Sequence, residues 1–389
     1  MGTTTGRPAL QKGLDDVYVK ESKICLVDGE KGRLLYVGYD IRDLAEHSSF
    51  EETCFLLWHL RLPKADELEA TRRGIAEERK IPKEIHEYLK LLPRATAPMD
   101  ALRTAVSALA GYDPELTDMK RDSNFRKALR LTAKFATIVA AFHRIREGKK
   151  PVPPDSELGH AEDFLRMITG KAPDPLEAKI IDVSLILHAD HSTNASTFAA
   201  TAAGSTLADL YAAIVAGIAT LKGPLHGGAN EQALKMLLKI GTPANAEPYV
   251  ERVLAKKEDI GAGPGKIPGF GHRVYKNFDP RALILREYAK QLSLRRGDTT
   301  LYDTATAVQD IMLRELEVKR VYPNVDFYSG LTYYLMGLPS DLFTPVFAVS
   351  RIAGWAAHVI EYWEANRIMR PLEIYTGPTE ATFVPVSRR

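Results

Sequence analysis

Between residues 196 and 221 the chain carries eleven alanines and glycines, among them Ala200, Gly204, Ala213 and Gly217. Side chains this small let helix backbones approach closely, so the tract predicts either a central core of helix against helix or a subunit interface; an ordinary amphipathic helix is the alternative. The rest of the sequence agrees with a helical fold. Apolar residues recur at helical spacing through most of it, punctuated by Pro and Gly, and alternating strand pattern is scarce beyond the first forty residues. Helices are predicted over 64–79, 83–91, 99–110, 124–146 and 174–187. Ser49 and Glu52 are spaced as a capping box for another, which Pro63 should stop. Residues 23–37 read as two short strands around a glycine-containing turn, a small N-terminal β-hairpin. Lys149-Lys150-Pro151-Val152-Pro153-Pro154 cannot continue a helix and should be an exposed connector.

With 389 residues and 45% hydrophobic side chains, two or three domains are expected. Composition shifts at residue 223 and again at 261, so we place a first part of a large domain at 1–226, a small domain at 227–331 and a return to the large domain at 332–389. Gly227-Gly228 and the Ser329-Gly330 pair would supply hinges. The 52 Lys plus Arg against 50 Asp plus Glu leave a net charge of +2, which favours neither nucleic acid nor membrane as a partner. Cys25 and Cys54 are the only cysteines, too few for a disulfide framework or a zinc site of several thiolates. The N-terminus has no apolar core for export, and Gly6 stands where an acylation motif needs Ser or Thr, so a cytoplasmic location is expected. The apolar stretch Leu210–Leu221 falls short of the roughly 20 residues that span a bilayer and reads as a buried helix.

Residues 261–272 are rich in glycine. A phosphate loop ending at Gly265-Lys266 would need Gly at Ile260 and Ser or Thr at Ile267, and a dinucleotide fingerprint fails at Lys266 and at Val274. What remains is a loop whose backbone can approach a ligand, with Lys266, Arg273 and Lys276 nearby, or else a flexible turn. Four histidines have unusual neighbours: His188 and His191 in His-Ala-Asp-His, His226 before two glycines, and His272 after Gly-Phe-Gly. His47, His59, His86, His143, His160 and His358 sit in helical contexts and read as surface or internally satisfied packing residues. His188 and His191 lack the cysteines or the HExxH spacing that would support a metal.

These motifs resemble the citrate synthase family along nearly the whole chain. The resemblance rests on His188-Ala189-Asp190-His191 with Asn194-Ala195-Ser196, Gly223 to Asn230, Gly269-Phe270-Gly271-His272 with Asp279-Pro280-Arg281, Pro323-Asn324-Val325-Asp326, Ser350 to Gly354, and Arg370-Pro371. Each alone is weak, but six in order are specific, and the match is to the short members of the family. The resemblance implies an all-α, two-domain homodimer with ligands in the cleft between domains. It implies Asp326 as the base for the thioester methyl, His226 as donor to the thioester oxygen and His272 as acid at the keto group. It also implies Arg281, Arg351 and Arg370 as carboxylate binders with His191 on the keto acid, Arg370 reaching the neighbouring subunit's cleft. Coenzyme A would meet Ile267, Pro268, Gly269, Phe270 and Gly271, together with Lys276 and, more weakly, Lys266 and Arg273. No metal or bound cofactor is implied; acetyl-CoA and oxaloacetate are substrates. Three rivals stand beside this reading: a 2-methylcitrate synthase using propionyl-CoA, a helical scaffold binding a partner through its Ala-rich faces, and a metal-dependent hydrolase.

Overall fold

The computed structural model describes residues 10–257, 265–316 and 320–389. The acylation-like start and the glycines at 261 and 263 lie outside them. The hairpin is present as β1 (Cys25–Asp28) and β2 (Arg33–Tyr36), antiparallel with Cys25 opposite Tyr36 and Asp28 opposite Arg33. A third short strand, β3 (Tyr39–Asp40), extends the sheet beside β2. Helices follow: α1 (Ile41–His47), α2 (Phe50–His59), α3 (Ala65–Glu77), α4 (Lys83–Leu91), α5 (Pro98–Leu109), α6 (Arg121–Arg146), α7 (His160–Thr169) and α8 (Pro175–His188). Then come α9 (Ala195–Gly204), α10 (Leu210–Leu221), α11 (Ala229–Ile240), α12 (Ala246–Leu254), α13 (Pro280–Arg296), α14 (Thr300–Glu315), α15 (Val325–Leu335) and α16 (Phe343–Trp363). The architecture is all-α with a small sheet.

Helix α16 is the axis of the fold. It packs against α2, α5, α6, α8, α9, α10 and α11, and it is buried along nearly its full length from Phe343 to Ile360. By length and composition Ser340–Trp363 could cross a membrane, but 94% of its apolar window is buried inside the protein, as a core helix should be. The Ala-rich tract forms α9 and α10, separated where Asp209 caps α10 by accepting from the Ala212 N–H. One face of this pair provides the predicted close packing: a Cβ on Gly217 would sit 3.1 Å from the fully buried Trp355 ring, and one on Gly204 2.8 Å from Val359. The other face, including Ala199, Ala203, Ala212, Val215, Ala216 and Ala219, is only partly covered or exposed.

Helices α11 to α15 pack chiefly on one another, α13 and α11 against α15 and α12 against α14, and α13 also reaches α1 and α8. Residue 227 falls in the turn between α10 and α11. Ser329, Gly330 and residue 331 fall inside α15, where a Cβ on Gly330 would lie 2.5 Å from the Asn230 carbonyl oxygen. That glycine is a contact point between α11 and α15.

Four local expectations are corrected. Helix α2 ends at His59 because Leu60 adopts a left-handed conformation (φ 57°), before Pro63 can act. Its capping box is half formed: Ser49 accepts from the Glu52 N–H, while the Glu52 carboxylate turns to the Ser48 hydroxyl. The sequence reads as helical from 353 to 368, with Pro371 placed to end the helix, yet α16 stops at Trp363. The following chain is drawn onto the end of α9 by Asn366, which donates to the Ser205 carbonyl, and by the Met369 N–H, which donates to the Ser205 hydroxyl. His160, expected to be satisfied, is buried with both ring nitrogens unpartnered among the described residues; burial, with Arg79 adding to it, holds it neutral against Phe50.

The close contact of Gly217 with Trp355 sets a stability test. Gly217→Val forces branched carbons into a fully packed seam, and we expect a loss of about 2 kcal/mol or more, read as a lower urea midpoint at unchanged m-value.

Candidate active site

The last turn of α8 exposes carbonyls that have no partner within the helix, and the neighbouring elements satisfy them. Ser350 donates to the Leu185 carbonyl, Arg351 Nε to His188 at 2.6 Å, and Tyr36 Oη to Ile186 at 3.1 Å. The chain then turns through Asp190, whose backbone is held from both sides by the Tyr36 hydroxyl: its N–H donates at 3.1 Å and its carbonyl accepts at 2.9 Å. The fully buried Asp190 carboxylate accepts from the Ser192 N–H at 3.0 Å and pairs with His358 Nε2 at 3.1 Å, and Lys20 Nζ meets His358 Nδ1 at 2.6 Å. Burial opposes the charge, but His358 and Arg351 outweigh it and hold the carboxyl below its ordinary value. Gly354 makes room, since a Cβ there would lie 2.5 Å from Asp190 Oδ1.

This turn presents His191 to a cavity of about 620 Å³, whose lining also includes His226, His272, Arg281, Asp326 and Arg351. The structure therefore brings the three expected catalytic residues and three of the four expected oxaloacetate binders to one place. A larger cavity, about 740 Å³, opens between α2, α3, α7 and α8, and none of these residues reaches it.

Two of the histidines have their proton placed by the main chain. A backbone N–H can only donate, so the Val274 and Tyr275 N–H groups, 3.0 and 3.2 Å from His272 Nδ1, make that nitrogen an acceptor and leave the proton on Nε2. For His226 the Ser196 N–H lies 3.3 Å from Nε2, with the Ser196 hydroxyl at 2.8 Å, so its proton belongs on Nδ1. Ser196 is itself fixed by Asn194, the cap of α9, and by the Trp355 indole N–H. Burial first, then Arg351 for His226 and Arg281 for His272, lowers both rings to about 4, so each is a neutral donor at neutral pH.

The cations are deeply set. Arg281, 2% exposed, is gripped by Asp279 through Nε at 3.0 Å and one terminal nitrogen at 2.8 Å, and Asp279 also accepts the Val325 N–H at the start of α15. Arg351, 1% exposed, lies over the Phe347 ring and forms no ion pair among the described residues; burial lowers it to about 10. A buried guanidinium without a counter-ion is costly unless an anion arrives. Asp326, in the first turn of α15, has one carboxylate oxygen buried without a donor, and burial, opposed by Arg281, raises it to about 6. Among the described residues no three His, Cys, Asp or Glu side chains gather into a metal-holding group.

The glycine-rich loop is held inward. Ile267, Pro268 and Gly269 are buried and do not line the cavity, and a Cβ on Gly269 would lie 2.8 Å from the Phe327 Cα of α15. Phe270 packs its ring on Phe327, Lys266 and Lys276 are exposed away from the lining, and Gly271 and Arg273 do line it, Arg273 pairing with Asp15 at 3.1 Å. Arg370 is exposed on the extended C-terminal segment, outside its own chain's cavity. Sequence reasoning missed the contribution of the hairpin: a Cβ on Gly29 would lie 2.0 Å from the Val274 carbonyl oxygen, and Lys276 N–H donates to the Gly29 carbonyl at 3.0 Å. The β1–β2 turn thus supports the loop that carries His272. It also missed Tyr275, whose hydroxyl lies 3.2 Å from His191 Nε2. The two residues are 84 positions apart, and no local pattern signals the contact.

Comparison with known proteins shows the family. Residues 13–372 match the family described as citrate synthase, C-terminal domain. The chain is 48% identical over 379 residues to citrate synthase 2 of Bacillus subtilis, covering 97% of this chain and 99% of that one. Its fold superposes on the crystal structure of citrate synthase from Pyrobaculum aerophilum with a TM-score of 0.92 at 43% identity, covering 98% and 95% of the two chains. It also matches a ternary complex of carboxymethyl coenzyme A and oxaloacetate with citrate synthase from Thermoplasma acidophilum, with a TM-score of 0.90 at 34% identity, over 97% and 99% of the chains. With a family match over most of its length, a fold shared with solved members and the motif histidines, arginines and aspartate meeting in one cavity, the chain belongs to the citrate synthase family.

Proposed function

We propose that the cavity condenses acetyl-CoA with oxaloacetate and water to give citrate and free coenzyme A. The observation that carries the reading is the buried Arg351 guanidinium, without an ion pair among the described residues, beside Arg281 in a cavity that also holds three neutral imidazoles and one carboxylate raised toward neutrality. Two buried guanidinium groups suit a dicarboxylate. In this reading Asp326 takes a proton from the thioester methyl, and His226 Nδ1–H stabilises the enol oxygen without surrendering its proton. The nucleophilic carbon then adds to the keto carbon as His272 Nε2–H protonates the keto oxygen. Water cleaves the resulting citryl thioester, releasing citrate and coenzyme A. The reaction calls for no metal; coenzyme A enters as substrate, with Gly271 and Arg273 at the cavity wall.

The segment 227–331 acts as the small domain in this reading, and its closure excludes water until the citryl thioester exists. The mutual packing of α11 to α15 supports a body that moves as a unit. The partly open small-residue face of α9 and α10 supports a homodimer, and Arg370 on its exposed C-terminal segment is free to serve a second chain. In this reading the enzyme is cytosolic and dimeric.

Thiol release with oxaloacetate tests it directly. Acetyl-CoA should give a higher specificity constant than propionyl-CoA; the reverse order makes the protein a 2-methylcitrate synthase. Asp326→Asn, His226→Ala and His272→Ala should each lower turnover by about a hundredfold or more at unchanged helical content.

The base also sets a pH limb. Below about pH 6 Asp326 binds a proton and ceases to be a base, so kcat/KM for the acyl thioester should fall about tenfold per pH unit, while the imidazoles stay neutral down to about 4. A flat profile between pH 5 and 7 would assign the proton transfer elsewhere.

For the dimer, His272→Ala and Arg370→Ala subunits, each inactive alone, should recover activity when co-folded. About half the dimers are mixed, each with one intact site of two, so recovery should approach about a quarter of wild type. No recovery in confirmed mixed dimers would mean that Arg370 serves its own chain or no site.

A further inference from the structure

Tyr275 is 4% exposed and its ring stands beside two of the cavity's histidines, 5.5 Å from the His191 ring and 4.8 Å from that of His272. Its N–H donates to His272 Nδ1, and its hydroxyl has one hydrogen-bond partner among the described residues, His191 Nε2 at 3.2 Å. A phenol and a neutral imidazole can share one hydrogen bond in two ways. If His191 Nε2 carried the proton and donated, the phenol proton would be left in a buried place without an acceptor, and His191 Nδ1 would offer a lone pair to an anionic ligand. If the phenol donates to Nε2, both groups are satisfied and the imidazole proton lies on Nδ1. Nδ1 makes no hydrogen bond within the described chain, and His191 lines the cavity. Burial and the neighbouring Arg281 keep His191 uncharged, and burial keeps the phenol protonated, so a neutral pair persists across ordinary pH.

We propose that Tyr275 is a positioning residue for the keto-acid half of the reaction: its hydroxyl donates to His191 Nε2 and holds the His191 proton on Nδ1, where it donates to an oxygen of the bound keto dicarboxylate. The inference rests on the reading of the cavity as an oxaloacetate site. One residue then sets the proton position of two histidines, with its main chain for His272 and its side chain for His191. The bond also ties the loop supported by the hairpin to the turn that follows α8.

Tyr275→Phe tests it, because it keeps the ring and the N–H to His272 and removes only the hydroxyl. KM for oxaloacetate should rise about tenfold, and KM for acetyl-CoA and kcat should change by less than about twofold, with the thermal midpoint lowered by no more than a few degrees. Histidine-selective nitrogen NMR of the wild-type protein should show His191 protonated on Nδ1, and Tyr275→Phe should lose that fixed tautomer. An unchanged oxaloacetate KM in a folded variant, or a wild-type His191 protonated on Nε2, overturns the proposal. Wild-type protein that releases no thiol with oxaloacetate overturns the functional reading instead, and the NMR measurement still decides the tautomer.

Discussion

The fully buried carboxylate of Asp190 is the interaction on which the site depends. An ionised group in that position is tolerable only when it is paired, and the donors to its Oδ2 come from different parts of the chain. His358 comes from α16 with Lys20 behind it, and the Ser192 N–H comes from the turn itself. The same residue's main chain is fastened by Tyr36 of β2. The turn that results holds Ser192 at φ 54°, places His191 at the cavity and delivers Asn194 to cap α9, which in turn sets Ser196 against His226. Packing of α16, folding of the N-terminal segment and alignment of two functional histidines are therefore one event.

The cavity is also where the structure carries unfavourable groups. Arg351 is buried without an ion pair among the described residues, and Asp326 has a carboxylate oxygen with no donor. Arg79, by contrast, is buried against a counter-ion, Asp163 at 3.0 Å. Groups of this kind, left open in a well-packed chain, mark a place shaped for a ligand rather than for stability alone.

Much of this was legible in the sequence. Sequence patterns located half of the helices, α2 to α6, α8, α9 and α10, and the small residues between 196 and 221 announced a close seam because a Cβ is what limits helix approach. Helix ends were less legible. Leu60 ends α2 by a backbone conformation that leucine rarely takes, and α16 ends because its following segment is captured by Ser205, a contact no local rule can see. The cavity residues were visible through motifs that resemble a family, whereas Tyr275, Gly29, Lys20 and His358 act through partners far away in the chain. The glycine-rich loop shows the same limit: its glycines read as room for a ligand, yet Gly269 is required by the approach of α15.

The protons of His226 and His272 are placed by main-chain N–H groups at 196, 274 and 275. Every amino acid but proline supplies that group. The side chain at 274 can drift over generations without reassigning the His272 proton, so long as the loop keeps its path. Inheritance of these two proton positions is buffered against most changes of side chain, and proline is the one replacement that strikes the donor itself.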